Sequence, residues 1–262
     1  MRRPGAKRSP PTRGILAAVV AGFSFDVGTF GKVSGAIYRA LDPSARATLV
    51  LAHGAGAPRT HPFMTSMAAR IAARGVDVVT FNFLYAEAGR KMPDRVELLE
   101  ATWRAAIATV RARGGLSTER LFIGGKSMGG RIATRVAAAN EGLVLSGVVL
   151  LGYPLHPIGK PRIVRDEILG VRLPMLVVQG TRDELGAAAE VKKLLAGVPR
   201  ARVHVVEGGD HSLALPARDR AERQEQVLDA AAAAIAAFVA ARPKARSKRA
   251  PKKRRSASEK KP

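Results

Sequence analysis

The chain of 262 residues contains no cysteine. A disulfide framework, a thiolate zinc site, an iron–sulfur cluster and a cysteine nucleophile are therefore excluded, and covalent catalysis would have to use oxygen or nitrogen. Chains without disulfides suit a reducing compartment, so a cytoplasmic location is predicted. Long apolar runs are also missing. None approaches the ~20 residues that a membrane span needs, and no span is expected.

Acidic residues are scarce: 21 Asp and Glu stand against 44 Lys and Arg, giving a formal net charge of +23. Residues 242–262 carry +10 and residues 1–13 carry +5, so most of the excess lies at the two ends. The segment 242–262 has no hydrophobic period, which predicts a disordered tail. The tail suits weak electrostatic contact with nucleic acid or another polyanion, or it is a solubilising extension. No aromatic residue is interleaved for base stacking, which argues against specific nucleic-acid binding.

Residues 1–22 are predicted to be a disordered basic leader. An apolar stretch from Ile15 to Phe23 follows the basic residues and imitates a secretory signal. Phe23, Phe25 and Val27 continue it in the pattern of a first strand, so we interpret the segment as a leader or an over-extended start. The folded domain is predicted to span residues 23–241.

Apolar runs alternate with amphipathic stretches between these ends, which predicts an α/β fold with a mostly parallel sheet of about eight strands and helices on both faces. The predicted strands are 23–27, 35–39, 48–53, 77–81, 120–124, 145–151, 175–180 and 202–207. The predicted helices are 61–74, 95–113, 128–140, 187–195 and 220–241.

The strongest motif is Gly-x-Ser-x-Gly around Ser127, placed where a predicted strand passes directly into a helix. On such a sharp turn a nucleophilic hydroxyl projects from the top of the sheet in a strained backbone conformation. Side chains at Gly125 and Gly129 would collide with neighbouring structure, which explains both glycines. Ser127 is therefore the predicted nucleophile.

A serine hydroxyl needs a base, and the chain has five histidines. His204 lies within a predicted strand, His61 and His156 lie in proline-flanked loops, and His53 ends the third strand. His211 lies in a glycine-rich turn between the last strand and the last helix, where it has the freedom to reach across the sheet. It also completes the chain order Ser, acid, His, so His211 is the predicted base.

The carboxylate that orients the base should follow an intervening strand. Asp183 follows the apolar strand 175–180 and is the leading candidate, with Glu184 as the alternative. Asp210 adjoins the predicted base, and we interpret it as a turn residue.

The tetrahedral intermediate needs backbone donors for its oxyanion. The Met128 amide, after the nucleophile, is the first predicted donor. The second is the Ala55 amide in the turn after the third strand, with Gly54 as the alternative. Other residues predicted to shape the site are His53, Gly54, Gly56, Gly125, Lys126 and Gly129.

A nucleotide-binding interpretation of Gly124 to Ser127 fails, because Leu121 and Phe122 stand where a phosphate loop needs its first glycine. No cluster of His or carboxylate residues has metal-ligand spacing. We expect neither a cofactor nor a metal.

Five motifs carry a family resemblance: His-Gly-Ala-Gly at 53–56 with His-Pro-Phe-Met at 61–64, Gly-Lys-Ser-Met-Gly-Gly-Arg at 125–131, Gly-Tyr-Pro-Leu-His-Pro at 152–157, Gln-Gly-Thr-Arg-Asp at 179–183, and Gly-Asp-His-Ser at 209–212. They resemble the α/β-hydrolase-like family that includes testis-expressed protein 30 and NSL complex subunit 3, and more distantly the dienelactone hydrolases. The resemblance implies an α/β-hydrolase fold and the same Ser127, Asp183, His211 assignment.

Only about 22 residues separate the sixth strand from Pro174, so no large cap domain is expected over the site. An open site suits a small ester or thioester, or an acyl group on a larger carrier. Lys126, Arg131 and Arg59 lie near the predicted mouth, either as a preference for anionic substrates or as solvated surface charge. Acyl-ester hydrolysis is the predicted function. The alternative is a non-catalytic interaction module with basic tails.

Overall fold

The computed structural model describes residues 20–43, 46–139 and 142–241. The predicted tail at 242–262 and the predicted leader up to residue 19 lie outside this description. The strands are β1 (Val20–Asp26), β2 (Lys32–Tyr38), β3 (Thr48–Ala52), β4 (Asp77–Phe81), β5 (Leu121–Lys126), β6 (Gly147–Leu151), β7 (Met175–Gly180) and β8 (Ala201–Val206). The helices are α1 (Pro62–Ala72), α2 (Leu84–Glu87), α3 (Val96–Ala112), α4 (Met128–Ala139), α5 (Ala188–Leu194) and α6 (Ala217–Ala240), with a 3₁₀ helix at Glu167–Gly170.

All eight strands form one sheet in the order β1-β2-β4-β3-β5-β6-β7-β8. Strands β3 to β8 are parallel, and β2 is antiparallel to both of its neighbours. After β3 the chain forms β4 on one side of it and then crosses over to form β5 on its other side. The boundary between β3 and β5 is therefore the switch point, where open α/β sheets place their ligands. The predicted α/β-hydrolase fold is confirmed.

Two hydrophobic clusters cover the two faces of the sheet. Val50 of β3 packs in one cluster with Trp103 of α3 and residues of α4. The neighbouring Leu51 packs in the other with Ile71 of α1 and Ile235 of α6. Successive strand side chains point to opposite faces, and apolar runs without alternation are typical of strands buried on both sides.

The link between β6 and β7 is short. Within the described residues it contains only the 3₁₀ helix Glu167–Gly170. The prediction that no large cap domain covers the site is therefore confirmed. None of the described helices is both long enough and apolar enough to cross a membrane.

Both ends of the described domain lie at the amino edge of the parallel strands. Strand β1 begins at Val20, three residues earlier than predicted, because Val20 pairs with Tyr38 at the far end of β2. At the other end, the Arg120 guanidinium donates a hydrogen bond of 3.0 Å to the Ala241 carbonyl. Arg120 directly precedes β5, so this contact places the end of α6 at the same edge.

We expect Gly124→Ala to lower the free energy of unfolding by about 3 kcal/mol. A Cβ at Gly124 would lie 1.8 Å from the Val149 carbonyl oxygen of the neighbouring strand, so β5 and β6 would have to separate. The matched control is Gly22→Ala in β1, where a Cβ meets no atom within 4 Å. Chemical denaturation of both variants measures the effect, and equal midpoints would contradict it.

Candidate active site

Four loops meet at the carboxyl edge of the sheet. They follow β3, β5, β7 and β8, which are parallel, and they carry the predicted oxyanion turn, Ser127, Asp183 and His211 in that order. Ser127 and Asp183 lie 84 and 28 positions before His211 in the chain. The fold brings together all three predicted triad residues.

The three side chains form one continuous hydrogen-bonded line. His211 Nε2 lies 2.8 Å from Ser127 Oγ. On the other side of the ring, His211 Nδ1 lies 2.9 and 3.0 Å from the two Asp183 carboxylate oxygens. The Asp183 side chain is fully buried and the His211 side chain is 20% exposed, so the line runs from the interior towards solvent. This geometry allows a proton to pass from the hydroxyl to the imidazole.

Ser127 occupies the strained position that the motif predicts. Its φ is +50°, in the left-handed region that non-glycine residues seldom adopt. Strand β5 ends one residue before it and α4 begins one residue after it. The Ser127 amide donates to the Leu151 carbonyl at 2.9 Å, which anchors the turn to β6. Strain that the surrounding structure maintains is typical of functional residues.

The glycines on either side of Ser127 lie against backbone atoms of the β3 turn. A Cβ at Gly125 would lie 2.5 Å from the Ala52 oxygen, and one at Gly129 would lie 2.4 Å from the His53 oxygen. Backbone atoms cannot yield as a flexible side chain can. The predicted crowding at both positions is confirmed.

The predicted oxyanion turn adjoins the nucleophile. A Cβ at Gly54 would lie 3.4 Å from Ser127 Cβ. Gly56 has a φ of +75°, which explains a glycine there, and Ala55 is exposed. Met128 begins α4, so its amide belongs to the unpaired first turn of that helix. The assignment of the Met128 and Ala55 amides as oxyanion donors stays a prediction.

His53 supports this turn from below. It is fully buried, its Nδ1 donates to the Gly54 carbonyl at 2.8 Å, and its Nε2 accepts from the Phe83 amide at 3.1 Å. Burial lowers the pKa of His53 to about 4, so the ring is neutral at physiological pH. Tyr85, which the sequence analysis did not single out, donates its hydroxyl to the same Gly54 carbonyl at 3.2 Å.

Tyr85→Phe should lower kcat/KM about tenfold while lowering stability by only about 1 kcal/mol, because it removes one buried hydrogen bond to the turn beside Ser127. The matched control is Tyr153→Phe. That hydroxyl is also in a buried tyrosine, but it contacts the Arg165 carbonyl at 3.5 Å rather than the turn. Kinetics of both variants on one chromogenic ester measure the difference. Equal losses would show that the Tyr85 bond has no special role.

Asp183 is held by two donors besides the histidine. The Gln179 side-chain amide donates to one of its oxygens at 2.8 Å, and the Leu185 backbone amide donates to the other at 2.9 Å. Glu184, the alternative acid, is exposed and is not part of this line. The sequence analysis quoted Gln179 only as part of a motif and gave it no role, although a polar residue in an otherwise apolar strand was a signal that could have identified it; the structure buries it fully.

The loop that carries His211 is fixed by its neighbour. One Asp210 carboxylate oxygen accepts hydrogen bonds from the Ser212 amide at 2.7 Å and the Ala214 amide at 2.8 Å, as expected of a turn residue. Gly152, also missed, allows the loop to approach β6. Its φ is +57°, and a Cβ there would lie 2.5 Å from the His211 carbonyl oxygen.

Three histidines have other roles. His61 accepts from the Phe63 amide at the start of α1, His156 contacts the Ile163 carbonyl at 2.9 Å, and His204 is half-buried in β8. Within the described ranges, no three His, Asp or Glu side chains are grouped so that they could hold a metal ion.

The interpretation of Lys126 as solvated surface charge was wrong. Lys126 is only 9% exposed, because the loops after β3, β6 and β8 close around it. Burial lowers the pKa of its ammonium to about 8, and the nearby Asp183 and Asp210 carboxylates act in the opposite direction. Arg131 instead forms an ion pair of 2.9 Å with Glu167.

Comparisons with known proteins agree with this fold. A family model described as "Alpha/beta hydrolase domain" matches residues 45–240. A lidless α/β serine hydrolase from Xanthomonas campestris, XC6422, is 21% identical with a TM-score of 0.62, covering 82% of this chain and 94% of that one. The dienelactone hydrolase from Anabaena variabilis is 19% identical, with a TM-score of 0.65 and coverages of 85% and 97%. Est1E from Butyrivibrio proteoclasticus, solved with ferulic acid bound, is 12% identical, with a TM-score of 0.66 and coverages of 84% and 100%.

Proposed function

This chain belongs to the alpha/beta hydrolase domain family, and we propose that it is a serine hydrolase that cleaves a carboxylic ester or thioester through an acyl-enzyme. The observation that carries the proposal is the hydrogen-bonded line from Ser127 through His211 to Asp183. A serine hydroxyl at 2.8 Å from an imidazole that is itself held by a buried carboxylate is what nucleophilic acyl transfer requires.

In the proposed acylation step, Ser127 Oγ attacks the substrate carbonyl carbon while its proton passes to His211 Nε2. The carbonyl π electrons move to the oxygen, which becomes the oxyanion. Asp183 keeps the Nδ1 proton in place, so the Nε2 lone pair faces the hydroxyl, and it stabilises the imidazolium that forms. When the intermediate collapses, the bond to the leaving group breaks and His211 gives it the proton.

Deacylation repeats the sequence with water as the nucleophile. His211 accepts a proton from water, the hydroxide adds to the acyl carbon, and Ser127 leaves as the free hydroxyl. In both steps the Met128 and Ala55 amides are proposed to hold the oxyanion. The adjacency of the Gly54 turn to Ser127 supports that role.

The open edge supports a small ester or thioester, or an acyl group on a larger carrier, as the substrate. Ser127 is partly exposed, and the described link between β6 and β7 is too short to cover it. A deep, enclosed lipid-binding cavity would need a cap, which is the usual source of apolar walls in such sites. The esterase and dienelactone hydrolase neighbours are compatible with an ester substrate.

Several narrower predictions remain proposals. They are a closer relationship to the family of testis-expressed protein 30 and NSL complex subunit 3, a cytoplasmic location, weak polyanion contact through residues 242–262, and the division into leader, folded domain and tail. Residues 20–22 move from the predicted leader to the domain, because they form part of β1. A non-catalytic interaction module remains the rival to the enzyme.

A fluorophosphonate probe separates the enzyme from the module. We expect the native protein to react with one equivalent of probe, and mass spectrometry of the proteolytic peptides to place the phosphonate on Ser127. Ser212, an exposed serine beside the base, is the internal control and should remain unmodified. A well-folded protein that resists the probe at every pH would favour the module. Hydrolysis of short-chain p-nitrophenyl esters, compared with thioesters of the same acyl group, would then show whether an alcohol or a thiol leaving group is preferred.

A further inference from the structure

Lys126 lies near the proposed catalytic histidine without a hydrogen bond to it. A Cβ placed on Gly152 would lie 3.3 Å from Lys126 Nζ and 3.5 Å from His211 Nδ1. The ammonium nitrogen and this ring nitrogen therefore lie less than about 7 Å apart. Gly152, which has no side chain, allows both groups to approach the same stretch of backbone after β6.

The ammonium has no partner of its own in the described part of the chain, where it forms neither a hydrogen bond nor an ion pair within 4.0 Å. The oxygens of the nearest carboxylate, Asp183, accept from His211, Gln179 and Leu185 instead. The titratable groups that face Lys126 are Asp183 after β7 and Asp210 and His211 after β8. Its charge therefore acts on the site through space rather than through a bond.

We propose that Lys126 is a positioning residue of the active site, whose ammonium disfavours protonation of His211 in the resting enzyme and balances the charge of the oxyanion during turnover. The inference rests on the proposed function, because it assigns Lys126 to the same base. It adds a fourth side chain to the three of the triad.

The balance of charge explains the role. In the resting site, the Lys126 ammonium faces the Asp183 and Asp210 carboxylates and offsets part of their negative charge. Proton transfer from Ser127 then creates the imidazolium and the oxyanion together, so the net charge of the site does not change. Without the ammonium, both carboxylates would be uncompensated, and their negative charge would attract a proton from solvent to the imidazole before any substrate arrives.

The sign of the expected pH effect follows directly. Burial lowers the pKa of Lys126 to about 8, so the ammonium is mostly present at pH 7 and more completely at lower pH. The Lys126 ammonium opposes a second positive charge on the nearby His211 ring. The unprotonated base therefore stays available, and activity extends to lower pH. Removing the charge should therefore move the acid limb of log kcat/KM to higher pH by about one unit.

The experiment compares three variants of the full chain. Lys126→Met removes the charge but keeps most of the side-chain length, and Lys126→Arg keeps the charge. Lys160→Met removes the same charge from an exposed loop and controls for net charge. The rate of fluorophosphonate labelling is measured from pH 5 to 9. In parallel, ¹⁵N NMR follows protonation of the His211 ring, identified by its loss in His211→Asn.

We expect the acid limb and the NMR transition to move up together by about one pH unit in Lys126→Met, and to stay near the wild-type position in Lys126→Arg and Lys160→Met. An unchanged limb and transition in folded Lys126→Met would overturn the inference. Lys126→Gln provides a second neutral variant if the methionine protein does not fold.

The two proposals fail in different ways. If the native protein neither reacts with the probe nor hydrolyses esters at any pH, the proposed function fails, but the NMR titration still tests the effect of Lys126 on the ring. If the native protein is active and the acid limb of the pH profile does not move in Lys126→Met, only the inference fails.

Discussion

Ser127→Ala is expected to lower kcat for ester hydrolysis by roughly 10⁵- to 10⁶-fold, the loss that follows when the nucleophile of such a triad is removed. The alanine protein keeps the oxyanion turn and the base but cannot form the acyl-enzyme. It loses only the 2.8 Å hydrogen bond to His211, so its stability should change by about 1 kcal/mol or less.

Burst kinetics and thermal unfolding of Ser127→Ala measure the two effects separately. The control is Ser212→Ala, which removes an exposed hydroxyl next to the base and should leave the rate unchanged. If Ser127→Ala kept more than about 1% of the wild-type rate, after removal of contaminating esterase, the nucleophile would have to be another residue.

Asp183→Asn is expected to lower kcat by about 10⁴-fold while the fold survives. The carboxylate accepts from three N–H groups: those of His211, Gln179 and Leu185. An amide has only one oxygen, so its NH₂ group must face at least one of these donors. When the NH₂ group faces the imidazole, it donates a hydrogen bond to Nδ1. Nδ1 must then be unprotonated, so the ring proton lies on Nε2.

That tautomer points a proton at Ser127 where a lone pair is needed, which explains why an isosteric change should be so costly. Glu184→Gln is the matched control, because it changes the adjacent carboxylate, which is exposed. Single-turnover kinetics of both variants check the prediction. A comparable loss in Glu184→Gln, or full activity in Asp183→Asn, would show that Asp183 is not the residue that orients His211.

The sequence predicted most of the architecture because local signals were strong. Short continuous apolar runs identified the central strands, and the Gly-x-Ser-x-Gly turn between β5 and α4 located the predicted nucleophile. The parallel arrangement then required the turns after β7 and β8 to meet the same edge, which selected Asp183 and His211 from a small set of candidates. Helix α2 was missed because four residues give too short a period to detect.

What the sequence could not predict depends on contacts between distant loops. Lys126 looked like one basic residue among many, and its burial arises from the approach of the Gly54, Gly152 and His211 loops. Gln179 and Tyr85 support their partners across 4 and 31 positions, and although Gln179 begins one of the quoted motifs, nothing in that motif indicates which atom it contacts. Such contacts follow from the packing of whole elements rather than from local pattern.

The positions of Val20 and Ala241 have a practical consequence. Both termini of the described domain lie at the rim remote from Ser127, at the opposite ends of the parallel strands. A fusion partner, an affinity tag or a covalent link to a bead, attached through either one, would leave the mouth of the candidate site facing bulk liquid. If the proposed function is correct, immobilised protein should therefore hydrolyse even bulky acyl donors at the rate of the free protein.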